Sequence, residues 1–255
     1  MVVHLVIREV LRKYMNVKCN NFKGKDVILT LMRILDHIYL LADFANSYLI
    51  EREKYCILVD TGPSKRAKKI LQSVKSHSQD KPLAAILITH AHYDHLAGLE
   101  SVGLYFGPEV ISHHKENRFI MGLERFPSRK GLMGRMIGIF INTFSAQSYT
   151  VDRVVTDAEV IYDMKIHHLP GHTPGSIALE DTISGALFTG DAVITNRRGT
   201  KLRPPSKIYA LDYNQALESS IKLLKSAQPK AILPGHGKPM LNPEEAINKY
   251  LQKYS

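Results

Sequence analysis

Four ligand-type side chains crowd into the hexapeptide His90-Ala91-His92-Tyr93-Asp94-His95, directly after the apolar run Pro82 to Thr89. A buried strand that empties three imidazoles and a carboxylate into one turn is suited to holding zinc or another borderline divalent cation. Taken alone, the hexapeptide is also compatible with a histidine-rich surface loop. Three further segments share one form, a short apolar strand, then Gly or Pro, then a ligand-type residue. They are Met164 to Gly175 around His172, Ala186 to Asp191, and Ala231 to Gly237 around His236. Gly171, Gly175, Gly190 and Gly235 would let the backbone turn tightly beside the cation.

These groups need strands to present them and helices to cover the strands. From Arg33 to Asp60 the pattern predicts an antiparallel meander, with strands over Ile38 to Leu41, Ser47 to Ile50 and Tyr55 to Val59. Ser64 is expected to cap a helix over Lys65 to Ser76, whose Ala67, Ile70, Leu71 and Val74 share one face with lysines opposite. Glu109 to Ser112 reads as a strand, and Lys115 to Ser145 as helix, break, helix around Pro127. In the second half, strands are expected at Glu159 to Tyr162, Met164 to His168, Ser176 to Glu180, Ala186 to Thr189 and Ala231 to Leu233. Helices are expected at Tyr213 to Ala227 and Pro243 to Gln252, the latter capped by Asn242. Strands bracketed by helices in both halves imply an α/β architecture, an αββα sandwich of two mixed sheets with ligands on loops at one edge.

With 255 residues, 44% hydrophobic and 23% charged, the chain has the composition of an ordinary globular protein with a substantial core. No stretch approaches the roughly 18 apolar residues of a membrane span, so no membrane partner and a cytoplasmic location are expected. Cys19 and Cys56 cannot build a disulfide framework. The formal net charge of +10 admits an acidic small molecule, an anionic lipid or nucleic acid. Residues 1–31 carry Arg8, Arg12, Lys13, Lys18, Lys23 and Lys25 against Glu9 and Asp26 and contain no ligand motif. They are read as an extension before a domain spanning 32–255. Met32 is one candidate start; the other reading makes Val3, Val6, Ile7, Val10 and Tyr14 the apolar stripe of an added helix.

The order His-x-His-x-Asp-His, then His, Asp and His, resembles the metallo-β-lactamase superfamily of αββα metallohydrolases, from about Leu35 to the C-terminus. The resemblance implies that His90, His92 and His172 bind a first metal, that Asp94, His95 and His236 bind a second, and that Asp191 bridges them. It implies two divalent ions, Zn2+ foremost with iron or manganese as alternatives. A shared hydroxide, ionised because metal binding lowers the pKa of water from about 15.7 to about 7, would attack an ester, thioester or lactone carbonyl. Asp94 would orient it and carry a proton to the leaving group. Asp60 would hold a ligand histidine in its tautomer, or else merely open the following helix. His113, His114, His167 and His168 read as structural or surface histidines.

Departures narrow the reading. The second ligand position is His92, where flavo-di-iron oxygen reductases of the superfamily carry Glu. The chain ends soon after His236, which leaves no room for the helical domain of glyoxalase II. Position 194 is Ile, where acylhomoserine lactonases of the superfamily carry Tyr. The expectation is a compact, glyoxalase-II-like or lactonase-like hydrolase of a small substrate; a phosphodiesterase or nuclease, or a mononuclear iron persulfide dioxygenase, is the alternative. Nucleic acid is not the expected partner, because no aromatic platform for bases is evident. Arg197, Arg198 and Arg203 lie in an acid-free stretch after Asp191, and Arg118 to Arg135 adds further cations among apolar residues. Together they read either as the cationic rim of a pocket for an anionic substrate or as a solvated basic face. Nothing in the sequence selects an oligomeric state.

Overall fold

Alternation along the central strands sends successive side chains into different cores, and this sets the layering. The computed structural model describes residues 32–41, 45–78, 81–127, 136, 138 and 149–255. The extension expected over residues 1–31 lies outside the described residues. The first sheet runs β1 (Met32–Leu35), β2 (Ile38–Leu40), β3 (Tyr48–Glu51), β4 (Cys56–Val59), β5 (Leu83–Leu87), β6 (Glu109–His113) and β7 (Arg153–Val155), in that spatial order. Its first four strands pair antiparallel and β4 to β7 pair parallel. The second sheet contains β8 (Val160–Ile161), β9 (Met164–His168), β10 (Ile177–Asp181), β11 (Ala186–Gly190), β14 (Ala231–Pro234) and β15 (Met240–Leu241). There β11 and β14 are parallel neighbours and the other pairings are antiparallel. A two-stranded ribbon, β12 (Ile194–Thr195) and β13 (Leu202–Arg203), stands apart.

Ile57 and Val59 of β4, Ala85 and Leu87 of β5, Ile177 and Leu179 of β10 and Ala186 and Phe188 of β11 meet in one buried cluster between the sheets. Across this layer Phe188 packs edge-on against Tyr48 with ring centroids 5.2 Å apart, a contact worth about 0.5–1.5 kcal/mol beyond its burial. The intervening residues face outward. Leu58 and Ile86 pack with Ile70 and Val74 of α1 (Ser64–His77) and with Leu99 and Val102 of α3 (Leu99–Phe106). On the far side, Leu187 packs with Leu223, and Ile232 with Leu224, both leucines from α5 (Tyr213–Ser226); Ile247 and Tyr250 of α6 (Glu244–Tyr254) complete that layer. Two one-turn helices, α2 (Tyr93–Leu96) and α4 (Asn117–Ile120), sit in the loops. Helix, sheet, sheet, helix is the layering expected from the sequence. At the edge away from the ligand motifs, buried Arg52 donates to buried Asp181 at 2.6 Å and so ties the first sheet to the second.

Several local expectations are corrected. Ser64 does not cap α1 but is its first residue, and its hydroxyl bonds the Tyr93 hydroxyl instead. Asn242 does not cap the last helix; it takes a left-handed conformation (φ 49°) before Pro243, from which α6 begins. The helix expected after Lys115 is the single turn α4, and most of the remainder up to Ser145 lies outside the described residues. β1, β7, β15 and the β12–β13 ribbon have no counterpart among the expected strands. No helix among the described residues is long and apolar enough to cross a membrane.

Candidate metal centre

Parallel strands deliver their C-terminal ends to one edge, and the ligand-type residues follow those ends. His90 and His92 lie on the loop leaving β5, with Asp94 and His95 on α2 directly after it. His172 sits in the turn between β9 and β10, Asp191 follows β11, and His236 follows β14. His90 Nε2 and His172 Nε2 lie 3.1 and 3.0 Å from His92 Nδ1. One ring nitrogen cannot exchange a proton with two others at once, so three nitrogens converging in this way suit a shared cation better than mutual hydrogen bonds. Asp94, His95 and His236 form a second group, with His236 Nε2 3.2 Å from Asp94 Oδ2. Asp191 stands between the groups: Oδ2 is 3.4 Å from His172 Nε2 and 3.5 Å from His236 Nε2, and Oδ1 is 3.5 Å from His95 Nε2. His95 Nε2 and Asp191 Oδ1 are buried with no hydrogen-bond partner, as donors to a cation would be. The residues fit divalent metal.

Protonation follows from burial. Desolvation, with the neighbouring imidazoles, pushes His90 well below the usual histidine range, His92 down to about 3, and His172 down as well. All three are therefore neutral, the form that ligates. Desolvation also opposes charge on His95, but Asp60, Asp94 and Asp191 more than offset it and raise its pKa well above normal. The same three carboxylates would also attract a metal cation, which must displace that proton to be bound. Burial works against the charged forms of Asp94 and Asp191 too, yet the facing histidines hold Asp94 down to about 2 and Asp191 well below the ordinary range.

Asp60 ends β4 in a left-handed conformation (φ 55°), beside the parallel end of β5. Its Oδ1 accepts the Thr89 N–H at 2.8 Å, and its Oδ2 accepts the Thr89 hydroxyl at 2.8 Å and His95 Nδ1–H at 2.8 Å. The Thr89 oxygen, its proton committed to Asp60, can accept from His90 Nδ1 at 3.1 Å. One carboxylate thus orients His95 directly and His90 through Thr89, leaving Nε2 of each free to ligate.

Sequence reasoning missed three supports. Thr89 is one. Asn46 is another: its side-chain nitrogen donates to the carbonyls of Pro234 at 2.8 Å and Gly237 at 2.7 Å, on either side of His236, and its backbone N–H binds Gly235. The third is Glu116, fully buried after β6, whose carboxylate accepts backbone N–H groups of Ala91 and Gly175; burial pushes it up to about 7 against the opposing pull of Thr173 and of those two bonds. A carboxylate just past a parallel strand adjoining β5 was the available signal. His113 stacks on His168 at 4.0 Å and His167 meets Glu180 at 2.7 Å, and none of the three belongs to the ligand groups among the described residues.

Arg197, Arg198 and Arg203 are exposed on the β12–β13 ribbon. The ribbon base is nevertheless fastened to the His236 loop through Thr195 N–H to His236 O at 3.1 Å and Thr195 Oγ1 to Lys238 O at 2.6 Å. In the other basic segment Arg118 pairs with Glu124 at 3.1 Å, which neutralises it locally, and Arg125 is exposed. Arg129, Lys130 and Arg135 lie outside the described residues. Phe126 packs edge-on against His92, with centroids 5.4 Å apart, and stacks on Phe119.

Residues 40–236 match the model of the metallo-beta-lactamase superfamily. Among curated relatives, the probable metallo-hydrolase YybB of Bacillus subtilis is 26% identical and covers 88% of this chain and 90% of its own. The human acyl-coenzyme A thioesterase MBLAC2 is 28% identical over 80% of this chain and 76% of its own. The hydroxyacylglutathione hydrolase GloC of Haemophilus influenzae is 27% identical over 82% of this chain and 93% of its own. In structure the chain is similar to BJP-1, a subclass B3 metallo-beta-lactamase of Bradyrhizobium japonicum. The TM-score is 0.63 at 20% identity, over 88% of this chain and 89% of that one, and the likeness is one of fold.

Proposed function

Because the chain belongs to the metallo-beta-lactamase superfamily and carries a His/Asp metal cluster, we propose that this metal-dependent hydrolase holds two divalent ions, Zn2+ foremost, and cleaves a thioester of a small anionic substrate. The observation that carries the dinuclear reading is the second group, Asp94, His95 and His236, standing complete beside the first with the Asp191 carboxylate within 3.5 Å of both. When bound, the ions would supply an ionised water at neutral pH and polarise the scissile carbonyl.

The chain's own groups do the remainder. His90, His92 and His172, buried and neutral, hold their lone pairs on one point. Asp94, partly exposed beside His236, is placed to orient the attacking hydroxide and to carry its proton to the departing thiolate. Asp60 and Thr89 keep His90 and His95 in their ligating tautomers. Phe126 and Phe119 wall the His92 side with apolar surface that excludes water.

Among ester, thioester and lactone, the relatives named as an acyl-coenzyme A thioesterase and a hydroxyacylglutathione hydrolase favour the thioester. GloC matches this chain over 93% of its length, so the reading needs no further domain. The exposed arginines of the β12–β13 ribbon, fastened to the His236 loop, favour an anionic handle on the substrate. The deciding experiment measures metal per chain and then assays thioester, ester, lactone, phosphodiester and persulfide in parallel, with Asp191→Ala alongside. Two ions per chain, thioester turnover, and loss of both metal and turnover in Asp191→Ala are expected. One iron per chain with persulfide oxidation, or turnover confined to phosphodiesters, would replace the proposal.

A further inference from the structure

Glu116 is fully buried, and each of its carboxylate oxygens takes one backbone N–H. Oε2 accepts from Ala91 at 2.7 Å and Oε1 accepts from Gly175 at 2.7 Å. Ala91 lies between His90 and His92, on the loop from the first sheet; Gly175 closes the turn that carries His172, in the second sheet. One side chain therefore straddles the two loops that contribute the three imidazoles of the first ligand group. The close approach depends on glycine: a Cβ at 175 would stand 2.7 Å from Glu116 N and 2.8 Å from Glu116 Cγ.

We propose that Glu116 is a positioning residue that clamps the His90–His92 loop to the His172 loop and so sets the spacing of the first metal site. It is not a ligand. The inference rests on the metal-hydrolase reading above, and it requires the two oxygens to act together. Two N–H donors, on loops of different sheets, converge on one planar group, so displacing either loop breaks a hydrogen bond at a fully buried carboxylate.

Glu116→Gln is the discriminating change, because it keeps shape and volume while turning one acceptor into an NH2 that must face a backbone N–H. In the full-length protein, zinc affinity read by competition with a chromogenic chelator should fall by roughly 10- to 100-fold, as for the loss of other groups that orient ligands. The kcat should fall with KM nearly unchanged, since Glu116 does not touch substrate. Glu116→Asp keeps both oxygens on a shorter arm and should give an intermediate zinc affinity. Gly175→Ala, which drives a methyl against the backbone N and Cγ of Glu116, should lose zinc as Glu116→Gln does, and serves if Glu116→Gln does not fold. A Glu116→Gln protein that is merely less stable, with zinc affinity and kcat at wild-type values, overturns the clamp. If the wild type binds zinc but hydrolyses no thioester, the substrate reading fails, while the zinc competition still judges Glu116.

Discussion

Replacing Asp60 by Asn isolates the acceptor role of one carboxylate without disturbing the backbone, since Asn tolerates the left-handed conformation (φ 55°) that Asp60 adopts. In the wild type, three donors meet two acceptor oxygens: Thr89 N–H, the Thr89 hydroxyl and His95 Nδ1–H, all at 2.8 Å. The amide offers one oxygen and two N–H groups. If the oxygen stays on Thr89 N–H, the NH2 confronts His95 Nδ1, and relief comes only by moving the ring proton to Nε2, where it blocks ligation. If the amide turns over, His95 keeps its partner but the Thr89 N–H is left buried and unsatisfied, at a cost of about 1–3 kcal/mol. A hydrogen bond to a charged group is worth roughly 1.5–3 kcal/mol, so either outcome should weaken zinc binding by about 10- to 100-fold. Chelator competition measures this directly, and a thermal melt of the metal-free protein checks that the fold survives. Wild-type zinc affinity in a folded Asp60→Asn protein would refute the tautomer argument.

Other expectations follow from features nearer the surface or farther from the metal. Replacing Arg197, Arg198 and Arg203 together by Gln should raise KM for an anionic thioester by at least about 3-fold, the low end of three exposed pairs worth ~0.2–1 kcal/mol each, and spare a neutral analogue. Added salt should close that gap, and equal effects on both substrates would return these arginines to a solvated face. Burial raises the Asp181 carboxyl, but Ser184 and Arg52 outweigh it and leave its pKa depressed. That stabilisation is fully present above the ordinary carboxylate range and is lost as pH falls through the folded value. Asp181→Asn should therefore cost roughly 3 kcal/mol in urea melts at neutral pH. The gap from wild type should narrow on acidification; a widening gap would mean the sign is wrong. Cys56 is fully buried and desolvation pushes its thiol up to about 11. At pH 8 roughly one molecule in a thousand carries the thiolate, so peptide mapping should find Cys56 unlabelled by a thiol reagent until denaturant is added.

Where the pattern was local, the sequence was a good guide. The hexapeptide from His90 and the Gly-His and Gly-Asp turns name their own chemistry, and alternating or continuous apolar runs such as Ala186 to Thr189 mark the strands that hold them. What escaped depends on distant partners. Glu116 meets Ala91 and Gly175 across 25 and 59 residues, and Asn46 reaches Pro234 and Gly237 across 188 and 191. Ser64 failed as a cap for the same reason: its hydroxyl is taken by Tyr93, a competitor invisible from the local pattern. β1 is four residues long and none of them is fully buried, too short a run for its apolar residues to announce a strand.

The ligand groups are divided between the two sheets, and this makes the centre a joint. His90 and His92 come from the first sheet and His172 from the second; Asp94 and His95 lie on the helix after β5, while Asp191 and His236 follow strands of the second sheet. Neither half of the domain owns a whole ligand group, so a cation bound here acts as a dative crosslink between them. Its affinity then measures the docking of the halves as much as the quality of its ligands, since whatever binds only the assembled state stabilises that state by mass action. A chain divided between β7 and β8 would thus form a pair of fragments whose reassembly is read out, and driven, by metal.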